Sequence, residues 1–317
     1  MPALTLSNST NVRSPLLGFV LQRAELAVVS ALAPDRAVEI AAKLFATPPR
    51  FEHTPREREL LSTGERYGVA TRHGEVAAWR FGALSRPAVI LVHGWGGRGA
   101  QLGAFVPALL EAGYQVILFD HVGHGHSAGS TASLVHFWDA VDAVVTDAER
   151  RGSRVEGLVG HSLGAAAVGA WLNETRRELR AVLIAPPTSV VRYSSHFARR
   201  MGIREPVRRA MQERFERALG RRWAEFELPG SVAHVRAAAL VVHDHDDGDV
   251  GFGSGLALAR AWNGARLLAT RGLGHRRILR ATEVVQDAVD FIADRVVFAP
   301  PPAKGERLPY AAPAPIA

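Results

Sequence analysis

Six short apolar runs punctuate the chain: PAVILV from Pro87, QVILFD from Gln115, RVEGLVG from Arg154, RAVLIA from Arg180, AAALVVH from Ala237 and ARLLAT from Ala265. Each is too short for a helix core and lacks the polar alternation of a half-wet strand. Such runs predict strands buried on both faces, the pattern of a parallel sheet. Between them lie segments with helical spacing. One ends near Ala112-Gly113, one covers roughly 131–150, one is the alanine-rich stretch after Gly164, and a last one covers about 277–295. Strand followed by helix, repeated, predicts a mostly parallel central sheet with helices on both faces. Upstream, RYGVATRHGEVAAWRF (66–81) reads as two strands joined by a tight turn at His73-Gly74.

The alternation breaks between Pro186 and about Arg236. This insert reads as several short helices and carries about twice as many Arg as acidic residues. An insert after a central strand emerges at the carboxyl edge of the sheet, where ligands bind in open α/β folds, so a helical cap over the site is expected. Residues 1–50 read as an N-terminal helical extension, with one or two amphipathic helices within 18–46. Residues 51–298 form the main α/β domain, and the Pro/Ala-rich tail 299–317 is expected to be extended or disordered.

Composition narrows the chemistry. The 317 residues suffice for a large core, and there is no cysteine, which excludes disulfides, thiolate metal sites and a cysteine nucleophile. The net charge of +7 is mild and spread along the chain, unlike a nucleic-acid footprint. Arg13, Arg23 and Glu25 interrupt the apolar start, which argues against a signal peptide or an integral membrane segment. A cytoplasmic protein is the expectation.

The stretch GLVGHSLGAAAVGA (157–170) carries the sharpest signal. A G-x-S-x-G sequence that follows a strand and opens a helix places its serine on a strained corner, with glycines where the chain passes too close for a Cβ. Ser162 is therefore a candidate nucleophile. A serine hydroxyl needs a base to take its proton and an acid to orient that base. In this architecture these follow in the order acid, then histidine, each on the loop after a later strand. LVVHDHDDGDV supplies the acid, with Asp247 favoured by its distance from the strand end and Asp246 as runner-up. The remaining aspartates read as solvated, or as caps for a helix starting near Ser254. LLATRGLGHRRIL supplies His275. An oxyanion would need two preorganised N–H donors. The Leu163 amide, at a helix N-terminus, is one candidate. The Trp95 amide, in the HGWGG loop (93–97), is the other, with His93 bracing that loop.

HGWGG, FDHVGHGHSAG, GHSLG, VVHDHDDGDV and GLGH, in this order over residues 66–297, resemble the α/β-hydrolase superfamily, and more narrowly a bacterial branch with a TPPR-type segment upstream and a GLGHRRIL ending. The resemblance implies the α/β-hydrolase fold with a lid between its sixth and seventh strands. It implies a Ser162-Asp247-His275 triad, with Trp95 and Leu163 at the oxyanion positions. It departs at Asp244, where family acid loops often carry Gly.

The expected activity is hydrolysis of a small-molecule carboxylic ester through an acyl-enzyme, with no cofactor, no metal and no nucleic-acid partner. An acyltransferase or perhydrolase would use the same residues, and a non-catalytic binding protein could share the scaffold. His121, His124 and His126, with His243 and His245, lack the helical H-x-x-x-H pairing that would organise a metal site.

Overall fold

The computed structural model describes residues 15–295; the expected extended tail lies outside them. The chain divides into two compact units, Met1–Phe45 with Arg192–Ala218, and Ala46–Val191 with Leu219–Ala317.

The first unit is helical. Its helices are Pro15–Leu32, Pro34–Ala46, most of Val190–Met201 and Glu205–Leu219, so N-terminal and insert helices share one unit. Phe45 sits 5.2 Å from the Phe197 ring and 5.8 Å from those of Tyr193 and Phe215. Arg208 is buried there and donates to both Glu205 oxygens, to Ser194 Oγ and to Gln212 Oε1.

The second unit contains an eight-stranded sheet: β1 Glu65–Thr71, β2 Gly74–Phe81, β3 Ala88–Val92, β4 Gln115–Phe119, β5 Val155–His161, β6 Arg180–Ile184, β7 Ala239–Asp244 and β8 Arg266–Thr270. Their order is β1-β2-β4-β3-β5-β6-β7-β8. β2 is antiparallel to both its neighbours, and β3 to β8 run parallel. All six apolar runs are strands, and the expected first hairpin is present, with its turn at Arg72-His73, one residue earlier than the His73-Gly74 expected.

Period-two geometry splits each run between the two faces. Ile90 and Val92 of β3 join the core formed with helices Leu134–Arg150, Leu163–Thr175 and Gly253–Ala261. Val89 and Leu91 join the core beneath Phe105–Glu111 and Thr282–Ile292. All four are fully buried, each worth about 1.5–3 kcal/mol relative to exposure.

The last helix is shorter than its periodicity predicts. Gly274–Arg277 is a separate helical turn, Ile278–Arg280 a 3-10 turn, and Ala281 is extended before the helix Thr282–Ile292 begins. Ile278 and Leu279 are buried at this break. Their inward turn separates the residue-275 segment from the amphipathic helix that follows.

Candidate active site

β5 ends at His161, and the chain reverses into the helix Leu163–Thr175 at Ser162, which has φ 51° and ψ −124°. That is a strained backbone for a residue with a Cβ. The corner is held by the Ser162 amide donating to Ile184 O at 2.8 Å, and by its carbonyl accepting from the Ala166 amide at 3.1 Å. The flanking glycines have a steric cause. A Cβ on Gly160 would lie 2.7 Å from Ala165 Cα, and one on Gly164 would lie 2.3 Å from His93 O and 2.5 Å from Val92 O. Only hydrogen fits at either place, and Ala165 keeps the first helical turn slim.

The acid loop follows β7 and the histidine turn follows β8, and these strands are neighbours in the sheet. Asp247 Oδ2 lies 2.7 Å from His275 Nδ1. Asp247 Oδ1 accepts the amides of Asp249 and Val250, both at 2.8 Å, and the His243 ring nitrogen Nε2 stands 3.5 Å from Oδ2. Burial alone would raise the Asp247 pKa. The His243 and His275 contacts and the Val250 amide outweigh it, holding the carboxyl well below the usual carboxylate range. A fixed carboxylate on Nδ1 selects the tautomer that leaves Nε2 free to act as a base.

Asp246 stands elsewhere: it accepts the Gly272 amide at 2.9 Å. Asp244 is fully buried. It accepts from Thr270 Oγ1 at 2.7 Å, the Leu273 amide at 3.1 Å and the Asp246 amide at 2.9 Å. These two aspartates stitch the acid loop to the histidine loop. Asp244 is buried rather than solvated, whereas Asp246 and Asp249 are exposed as expected, and the helix Gly253–Ala261 has no side-chain cap.

His161, next to Ser162, is buried, and burial first and the His275 ring second lower its pKa to about 3. Its Nε2 donates to His275 O at 2.9 Å. The residue before the serine thus supports the histidine turn from below, a contact across 114 positions that no local sequence signal announces.

The HGWGG loop is braced by two buried histidines. His93 donates through Nδ1 to Gly94 O at 2.7 Å, and its Nε2 accepts the His121 amide at 2.9 Å. His124 donates through Nδ1 to Val122 O at 3.0 Å, and its Nε2 accepts the Gly96 amide at 3.1 Å. Burial holds both rings neutral, with pKa values of about 3 and about 4. Gly94 presses on the serine corner, where a Cβ would meet Ser162 Cβ at 2.8 Å and His161 O at 3.0 Å. Trp95, the next residue, is half-buried, with its indole edge-on to His124 at 5.6 Å. Leu163 is the first residue of its helix, so its amide has no partner within that helix.

Asp120, at the end of β4, accepts the Gly99 amide at 2.7 Å and the His126 amide at 2.8 Å. Arg50, from the TPPR segment, donates to the carbonyls of Gly123, Ser127 and Gly129 at 3.0, 2.9 and 2.6 Å. This role was hidden in the sequence, because carbonyls leave no trace in residue identity. Arg98 and Glu57 form a buried ion pair at 2.6 Å, tying the segment after HGWGG to the helix Pro55–Ser62.

A family model described as serine aminopeptidase, S33, matches residues 84–243, half of the chain, and includes Trp95, Ser162 and Leu163. The chain is an α/β hydrolase of this family. The hydrolase is similar to a probable serine hydrolase of Drosophila melanogaster, 27% identical over 163 residues, which cover 47% of this chain and 49% of that protein. A pyrethroid hydrolase of Sphingobium wenxiniae is 37% identical over 108 residues, 31% of this chain and 37% of that protein. The matched stretches thus span less than half of these curated relatives. An esterase of Pyrococcus furiosus shares the fold, with a TM-score of 0.59 at 19% identity over 78% of this chain and 98% of that one. No helix among the described residues is long and apolar enough to cross a membrane.

Proposed function

We propose that this α/β hydrolase cleaves a small-molecule carboxylic ester through an acyl-enzyme on Ser162. The observation that carries the reading is the 2.7 Å contact between Asp247 and His275 beside a serine held at φ 51°. Ser162 Oγ attacks the carbonyl carbon as His275 Nε2 takes its proton, and the resulting imidazolium is stabilised by Asp247 through Nδ1. The negative charge gathers on the substrate oxygen, where the Trp95 and Leu163 amides would donate, each worth on the order of 3 kcal/mol of barrier. His275 then returns the proton to the departing alcohol. Water, deprotonated by the same nitrogen, attacks the acyl carbon and releases the acid, restoring the Ser162 hydroxyl.

The choice of ester over amide is supported by the names of similar proteins: the Pyrococcus furiosus protein is an esterase. The test is a panel of p-nitrophenyl esters of rising chain length, with wild type and Ser162→Ala. Turnover by wild type and a loss of about 10⁴-fold or more in the variant are expected. Undiminished turnover in the variant overturns the nucleophile. Turnover of amides but not esters overturns the bond type. Product analysis with added alcohol or peroxide would expose an acyltransferase or perhydrolase.

A further inference from the structure

Outside the proposed chemistry, three side chains converge at the end of β4. His53 comes from the segment before the helix Pro55–Ser62, Asp120 from the end of β4, and His126 from the loop that follows. His53 Nε2 is 4.0 Å from Asp120 Oδ2, and His126 Nδ1 is 3.6 Å from the same oxygen. One donor atom from each residue lies within 4.8 Å of the other two. The two imidazoles stack, with centroids 4.4 Å apart.

We propose that His53, Asp120 and His126 bind one divalent transition-metal ion of the zinc class. Three features favour a metal over a plain polar cluster. First, His53 is 8% exposed and its Nε2 has no hydrogen-bond partner. A buried ring nitrogen without a partner carries a desolvation cost that a metal bond would remove.

Second, Asp120 is a prepared oxygen donor. The Gly99 and His126 amides on its two oxygens are the outer hydrogen bonds that orient a ligating carboxylate. Third, the His126 side chain is 43% exposed, which gives an ion an entry route and leaves a coordination position facing water.

Ligand atoms around a tetrahedral ion with bonds of about 2.0–2.1 Å lie roughly 3.3 Å apart. Closing the 3.6 Å between His126 and Asp120 requires a movement under about 1 Å, which the exposed His126 ring can supply by rotation, and closing the 4.0 Å between His53 and Asp120 requires a movement of similar size in the His53 side chain. Two imidazoles and one carboxylate suit zinc, cobalt, nickel or copper, and not magnesium or calcium, which prefer all-oxygen sets. The charges facing the group are compatible. Arg98 is neutralised by Glu57, and Arg50 is engaged with loop carbonyls. Binding would lock the His53 segment onto the loop 121–129, which Arg50 already grips. The site escapes a sequence reading because His53 lies 67 positions from Asp120, outside any metal-ligand spacing.

The test uses the full chain, stripped by a chelator and then titrated with Zn²⁺ by calorimetry and with Co²⁺ by visible absorption. One equivalent of Zn²⁺ is expected, with ligand-field bands of a low-coordinate Co²⁺ site and a rise in melting temperature. His126→Gln, at an exposed position, and His53→Gln should each weaken binding at least about tenfold. The double variant His73→Gln/His136→Gln removes a second histidine pair, its ring centroids 4.1 Å apart, and should bind like wild type. Absence of a stoichiometric site in wild type would overturn the proposal. So would wild-type affinity in the doubly substituted His53→Gln/His126→Gln chain.

Discussion

Asp247 Oδ2 stands 2.7 Å from His275 Nδ1 although 28 residues separate them, while Asp246, one position away, turns to the Gly272 amide. The two carboxylates therefore separate cleanly on substitution. Asp247→Asn should lower kcat for an accepted ester by about 10³–10⁴-fold, because the amide no longer fixes the tautomer of His275. Asp246→Asn should cost less than about tenfold, since an amide oxygen can still accept from Gly272. Steady-state kinetics on both variants, with circular dichroism as a folding control, checks the pair.

The serine corner should be intolerant of a single methyl group. In Gly164→Ala the new Cβ would sit 2.3 Å from His93 O and 2.5 Å from Val92 O, and neither backbone oxygen can yield without disturbing β3. A loss of about 3 kcal/mol is expected, or a melting temperature lower by about 6–12 °C. Gly230→Ala, with nothing within 4 Å of the added atom, is the control and should change little. Calorimetric melting of both variants reads the difference.

Acid should destabilise this protein earlier than its carboxylates alone would. His93 and His161 have folded pKa values of about 3, against an ordinary 6.5. Below pH 6.5 the unfolded chain binds protons that the folded chain refuses. Each histidine thus contributes stability that is complete above pH 6.5 and is lost as the pH falls towards the folded value. The slope is about 1.4 kcal/mol per pH unit for each residue, or roughly 3 kcal/mol for the pair. Urea midpoints measured from pH 7.5 to 5 should be flat at first and then fall below about pH 6.5. A midpoint constant down to pH 5 would contradict the assignment of buried neutral rings.

The sheet was legible because burial writes unbroken apolar runs, and all six runs from Pro87 to Thr270 became strands, although the last, β8 at the sheet edge, is only partly buried where burial on both faces was expected. The serine corner was legible because its glycines answer a steric demand that only hydrogen meets. Other features were hidden for physical reasons. The break at Ala281 depends on Ile278 and Leu279 turning inward, a tertiary choice that helical periodicity does not encode. The contacts of Arg50 with loop carbonyls, and of His161 with the His275 carbonyl, involve backbone acceptors common to every residue. Asp244 and Asp246 looked like surplus charge because their partners are amides and a hydroxyl on the neighbouring loop.

The most direct test of the account is covalent. The folded chain is treated with a fluorophosphonate, digested, and mapped by mass spectrometry, with His275→Ala alongside. A single adduct on the peptide bearing Ser162, forming at least about 100-fold more slowly in the variant, is the result predicted for a serine activated by that imidazole. Labelling at another residue, or equal rates with and without the imidazole, would contradict it.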